Sequence, residues 1–127
     1  MGDFRRLVAW REAKQLAVLS RDAIQALPQA ELYALGAQWR RAAYSVALNI
    51  AEGASQPSSK QFRRYLDIAK GSLDELQALF ELAEALGYLS DTRLAELRRC
   101  RSHCARLVIA LARRIVASPG NAAPGNG

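Results

Sequence analysis

Cys100, His103 and Cys104 fall within about one helical turn of each other, a spacing that brings thiolate and imidazole ligands together. Zinc would still need a fourth ligand, and His103 is the only histidine in the 127 residues. On a helical wheel both cysteines point into an apolar stripe, while His103 points well to one side. That pattern favours two small core hydrophobes over a metal centre. A disulfide between them is disfavoured, because two Cβ atoms so placed on one helix are poorly oriented for it. No His-Glu-x-x-His, Walker A, Gly-x-Gly-x-x-Gly or Gly-x-Ser-x-Gly pattern occurs elsewhere. The expectation is a protein that is not an enzyme and that uses no metal and no cofactor.

Two polar surfaces remain to be explained. Gln38, Arg41, Ser45, Asn49 and Glu52 fall within about a quarter of a helical wheel, at about 100° per residue, as a ridge facing away from Trp39, Val46 and Ile50. Solvated, the ridge is an ordinary surface. Covered, Arg41, Asn49 and Glu52 must satisfy one another, since an unpaired buried charge is costly, and the ridge becomes a structural network or an interface. A ligand or nucleic-acid contact is the third reading.

The second surface is basic. Arg99, Arg106 and Arg113 repeat every seven residues and stack along one ridge of the last helical segment, on the face opposite its apolar stripe. Arg98 flanks that ridge on one side, and Arg114 lies further round on the other. Residues 93–127 hold seven arginines against the single acid Glu96, whereas residues 1–92 hold 11 basic and 11 acidic residues. The chain's +6 therefore sits in its last stretch, where a localised field attracts polyanions. No aromatics interleave with the arginines to stack on bases, so the pattern supports contact with the phosphate backbone of RNA or DNA without sequence readout. Against it stands the simpler reading of a solvated charged face.

Four segments of heptad-like spacing must position these residues. The first runs from about Leu7 to Leu27 and ends at Pro28, which cannot continue a helix. The second runs from about Leu35 to Ala54 and is closed by Gly53 and the Ser55-Gln56-Pro57 stretch. The third follows the N-cap candidates Ser58 and Ser59, with Phe62, Leu66, Ala69, Leu73, Leu76, Phe80 and Ala83 in a 4-3 rhythm up to Gly87. Ile68, Leu79, Leu82 and Leu86 form a second apolar strip on it, more than one core needs, which points to a subunit interface. Gly71, mid-helix, points to close approach of a neighbouring backbone. The fourth follows Ser90 and runs to about Val116, with Leu97, Cys100, Cys104, Leu107, Leu111 and Ile115 inward.

Short loops between long helices force neighbours to run antiparallel, so the fold expected is an all-α, up-and-down four-helix bundle over residues 1–117. The polar, Pro- and Gly-rich residues 118–127 are expected to be a disordered tail. No run approaches the roughly 20 apolar residues that span a bilayer. The N-terminus shows no apolar core of a secretory signal, so no membrane association and a cytoplasmic location are expected.

The stretch Gln38-Trp39-Arg40-Arg41-Ala42-Ala43-Tyr44-Ser45-Val46-Ala47-Leu48-Asn49-Ile50-Ala51-Glu52-Gly53 resembles the signature of a family of bacterial four-helix-bundle proteins. The family was first noticed as open reading frames within intervening sequences of large-subunit ribosomal RNA genes. Phe62 to Leu76 is similar to the same family's third helix, and Val8-Ala9-Trp10-Arg11-Glu12-Ala13 fits its opening helix. The similarity covers roughly residues 4–90; the fourth segment matches only in type and the tail not at all. It implies a closed bundle and a ring-shaped homopentamer. It also implies kinship with the basic accessory variability proteins of diversity-generating retroelements, which are associated with nucleic acid and a reverse transcriptase. The expected function is a non-enzymatic, oligomeric accessory protein that binds nucleic acid through Arg98, Arg99, Arg106 and Arg113. The rival is a structural scaffold or protein-interaction module whose arginines are solvated or meet an acidic protein partner.

Overall fold

Ser58 starts one of the two longest amphipathic runs: its Oγ accepts a hydrogen bond from the Gln61 backbone N–H at 3.2 Å, satisfying one of the orphan donors of a helix N-terminus. The run ends where Gly87 adopts φ 72°, a left-handed conformation that glycine enters without a Cβ penalty. Gly87 N–H donates to Glu84 O at 3.0 Å and Tyr88 N–H to Ala83 O at 3.1 Å, the paired bonds of a Schellman stop. In the computed structural model, which describes residues 3–117, helix α3 spans Ser59–Ala85 between these two signals. The others are α1 (Val8–Gln25), α2 (Leu35–Ala54) and α4 (Asp91–Ala117), the last capped by Ser90, whose Oγ accepts from Arg93 N–H at 3.2 Å. The tail expected to be disordered lies outside the described residues.

Two 3-10 turns were not legible in the spacing. One, Phe4–Arg6, precedes α1, where the Asp3 carboxylate accepts from Arg5 N–H at 2.9 Å and the Phe4 ring packs edge-on to Trp10. The other, Gln29–Glu31, follows Pro28 between α1 and α2.

Each helix packs against the next in sequence, and α4 returns to pack against α1, closing the antiparallel bundle. Side-chain bonds fix the register. Ser45 Oγ of α2 lies 2.7 Å from Ser72 Oγ of α3. Arg101 Nη1 of α4 donates to Leu73 O of α3 at 3.3 Å. Cys100 Sγ of α4 lies 3.3 Å from Glu12 Oε2 of α1. At the centre Trp39, fully buried, packs its ring 5.4 Å from that of Phe80, among Leu16, Ile24, Leu66 and Leu97. Each such aliphatic side chain contributes about 1.5–3 kcal/mol on leaving water. The Trp39 indole N–H and the Ser20 hydroxyl are buried without a hydrogen-bond partner.

Two glycines play roles other than those their positions suggest. Gly53 does not stop α2 but lies inside it, buried, where an added Cβ would sit 2.9 Å from Phe62 Cδ1 and from Tyr65 Cβ. Gly71, the expected point of close approach, is exposed, and a Cβ there would meet nothing within 4 Å.

Candidate functional site

The α4 ridge forms as spaced, but not all of its arginines are free. Arg98 turns toward α3, where its Nη2 lies 2.9 Å from Glu81 Oε2 and 2.8 Å from Glu84 Oε1. The guanidinium holds the Glu84 carboxyl below the usual carboxylate range, mainly through that hydrogen bond. Arg98 is thus a clamp between helices rather than a group open to a phosphate, and it leaves the set of candidate contacts. Arg101, also half-buried, is committed to the Leu73 carbonyl.

Arg99, Arg106 and Arg113 are exposed, and no carboxylate is paired with any of them among the described residues. The ridge does not stand directly opposite the core. Arg99 and Arg106 edge a shallow groove between α4 and α1, with Gln15 and Leu19 across from them. Glu12 sits on the same groove and occupies itself with α4: its Oε2 accepts from Cys100 Sγ and lies 3.3 Å from His103 Nδ1. Of the two acids on this groove, Glu12 therefore faces a thiol and an imidazole rather than an arginine, and Glu96 forms no ion pair with Arg99 among the described residues.

Cys100 and Cys104 pack as expected, buried and free of each other, with Cys104 Sγ directed to the Ala9 carbonyl at 3.9 Å. Burial, reinforced by Glu12, pushes the Cys100 thiol up, and burial pushes Cys104 up to about 12. Such thiols are protonated and inert as nucleophiles at neutral pH. His103, exposed, stands off the apolar stripe. Among the described residues no group of three His, Cys, Asp or Glu side chains is placed to hold a metal ion.

The α2 ridge also forms, and it borders a groove between α2 and α3. Its two ends and its middle behave differently. Gln38, Arg41 and Glu52 are exposed, and Arg41 and Glu52 are not paired with each other. Ser45 and Asn49 are half-buried: Asn49 Nδ2 donates to Ser45 O at 2.8 Å and Ser45 Oγ at 3.0 Å, and Ser45 Oγ reaches Ser72. The network therefore consists of Ser45, Asn49 and Ser72, a set that spacing along one helix cannot reveal because Ser72 belongs to another. Arg41 and Glu52 take no part in it, so within one chain the charged members form a solvated face.

Tyr44 and Leu48 of α2 line that groove and are exposed. Of the apolar strip on α3, Leu79 is buried and belongs to the core, but Ile68, Leu82 and Leu86 are exposed. Leu48 is 59% exposed, a large aliphatic side chain left in water by the single chain.

The sequence model of a family described as 23S rRNA-intervening sequence protein matches residues 5–110. No curated protein matches the chain. The matched span takes in α1 to α3 and most of α4, including Arg99 and Arg106 but not Arg113.

Proposed function

The chain belongs to the family of 23S rRNA-intervening sequence proteins, and from that premise we propose a non-enzymatic, oligomeric accessory protein that binds nucleic-acid backbone through the α4 ridge. The observation that carries this reading is the contrast within α4. Arg98 is neutralised by two glutamates, whereas Arg99, Arg106 and Arg113 stay exposed without an acid partner at one-heptad intervals. Free guanidinium forks match phosphate oxygens bidentately and release counterions when they bind them. The proposed location is cytoplasmic; no helix among the described residues is long and apolar enough to cross a membrane.

Self-association is part of the proposal, as a homopentamer. It draws support from the exposed Leu48, Ile68, Leu82 and Leu86 and from Gly71, whose helix cost of about 1 kcal/mol has no internal explanation. The same surface favours a second reading, a scaffold or protein-interaction module in which the arginines are only solvated. Replacing Arg99, Arg106 and Arg113 together by Gln separates the two. The proposal expects weaker binding to every RNA and DNA sequence alike and a shallower salt dependence, with helix content kept. Unchanged binding at matched salt would leave the scaffold reading. Sedimentation showing a monomer throughout the micromolar range would remove the pentamer.

A further inference from the structure

The fold gathers the chain's surplus charge at one end of the bundle. A plane through the Ser45–Ser72 bond, the Arg101–Leu73 bond and the Glu12–Cys100 contact divides the described residues into two halves. One half holds residues 13–45 and 72–101, with eight basic and eight acidic residues, and is neutral. The other holds residues 3–12, 46–71 and 102–117, with ten basic residues against Asp3, Glu12, Glu52 and Asp67, and carries the entire +6.

Topology makes this juxtaposition. Alternating helix directions bring the start of α1, with Arg6 and Arg11, to the same end as the start of α3, with Lys60 and Arg64. Helix α4 packs against both α1 and α3, so its last turns deliver Arg106, Arg113 and Arg114 to that same end. Arg6, Arg11, Lys60 and Arg64 are exposed, and none has an ion-pair partner among the described residues. Neither α1 nor α3 places an acid in its first turn, whereas α4, starting at the neutral end, has Asp91 there. The C-termini of α2 and α4 reach this end beside the N-termini of α1 and α3, so the helix dipoles largely cancel and the positive potential there comes from the side-chain surplus.

We infer that this basic end, and not the α4 ridge alone, is the surface that meets the nucleic-acid backbone, with Arg6, Arg11, Lys60 and Arg64 as phosphate contacts from α1 and α3. The inference rests on the nucleic-acid reading above and specifies the face. Eight of the ten cations are arginine, whose fork suits phosphate oxygens better than a lysine point charge does. The large exposed apolar side chains lie mostly on the α2/α3 side, with only Val8 of α1 at the basic end besides Ile68 and Leu48, an arrangement that favours a solvated polyanion over insertion into a lipid surface.

The test is the variant Arg6→Gln, Arg11→Gln, Lys60→Gln, Arg64→Gln in the full chain, which leaves α4 untouched. The probes are a short mixed-sequence DNA duplex, a single-stranded oligothymidine and vesicles containing phosphatidylserine. If all four residues contact a duplex, the salt slope flattens by about 3.6. Between about 50 and about 200 mM salt the parent's affinity then falls roughly 10²-fold further than the variant's. That result, with unchanged helix content, supports the inference; should the quadruple variant misfold, Arg11→Gln with Arg64→Gln expects half of that flattening. A quadruple variant that binds like the parent while the α4 triple variant weakens overturns the inference and leaves the ridge reading in place. A parent that binds neither DNA probe, nor an RNA of the same length, at low salt ends both. A parent that binds the vesicles more tightly than either DNA at matched salt assigns the end to a lipid surface and overturns the inference.

Discussion

Gly53 and Phe62 approach so closely that a Cβ on the glycine would lie 2.9 Å from Phe62 Cδ1. Tyr65 Cβ lies equally near, so neither neighbour is the loose end of a flexible chain. Gly53→Ala is therefore expected to destabilise the protein by about 1–3 kcal/mol through overpacking. Gly71→Ala, into open space on α3, should stabilise the single chain by about 0.5–1 kcal/mol. Urea melts of both variants check this pair, and a neutral Gly53→Ala would mean that α2 and α3 are less tightly packed than described.

The α2 ridge divides into a bonded middle and charged ends. Glu52→Ala is expected to change stability by no more than about 0.5 kcal/mol, as for other unpaired surface residues. Asn49→Ala removes two hydrogen bonds to Ser45 and should cost about 1 kcal/mol. A loss of several kcal/mol for Glu52→Ala in denaturant melts would show that another surface covers the carboxylate.

Alkaline pH tests the buried thiols. Their folded-state pKa values are raised, Cys104 to about 12, while unfolded thiols titrate near about 8.5. The unfolded chain loses these protons first, so their contribution is fully present below about pH 8.5 and is lost as pH rises toward the folded values. Each thiol should remove up to about 1.4 kcal/mol per pH unit in that window. Melts of the parent and of a Cys100→Ala, Cys104→Ala variant across the window isolate the effect, which the variant should lack.

Arg98 should matter to stability and not to polyanion binding. Arg98→Gln is expected to lower the Tm, because it cuts the link from α4 to Glu81 and Glu84, and to leave affinity for RNA and DNA near that of the parent. The Glu84 pKa is lowered, so the clamp's contribution is present at neutral pH and fades as pH falls below the ordinary carboxylate range through the lowered value. Acid melts of parent and variant should converge. An affinity loss as large as that of the α4 triple variant would return Arg98 to the binding surface.

The ends of α3 and the start of α4 were legible because they rest on local chemistry: Ser58 and Ser90 cap α3 and α4, and Gly87 stops α3. What no single helix can display is which residues of two helices meet. The wheel groups Arg98 with Arg99, but only the placement of Glu81 and Glu84 on α3 takes it out of the ridge. It likewise groups Arg41 and Glu52 with Asn49, whereas Ser72, 27 residues beyond Ser45, completes the network. Gly53 rather than Gly71 is the point of close approach for the same reason, since a glycine's purpose depends on what stands opposite it. Charge follows the rule too. Counted along the chain the surplus belongs to residues 93–127, and counted in space it belongs to one end built from three helices.

The two tryptophans occupy different optical environments. Trp39 is sealed beside Phe80 with its indole N–H unbonded, conditions that shorten the wavelength of emission. Trp10 is half-exposed near the basic end, with Lys14 Nζ 4.9 Å above its ring and Phe4 against its edge. Intrinsic fluorescence therefore comes from two stations in one molecule. Its blue component should follow the integrity of the interior, and under the proposed binding its red component should be quenched or shifted when a polyanion settles over the arginines, so that unfolding and occupancy would be read from a single spectrum without an added dye.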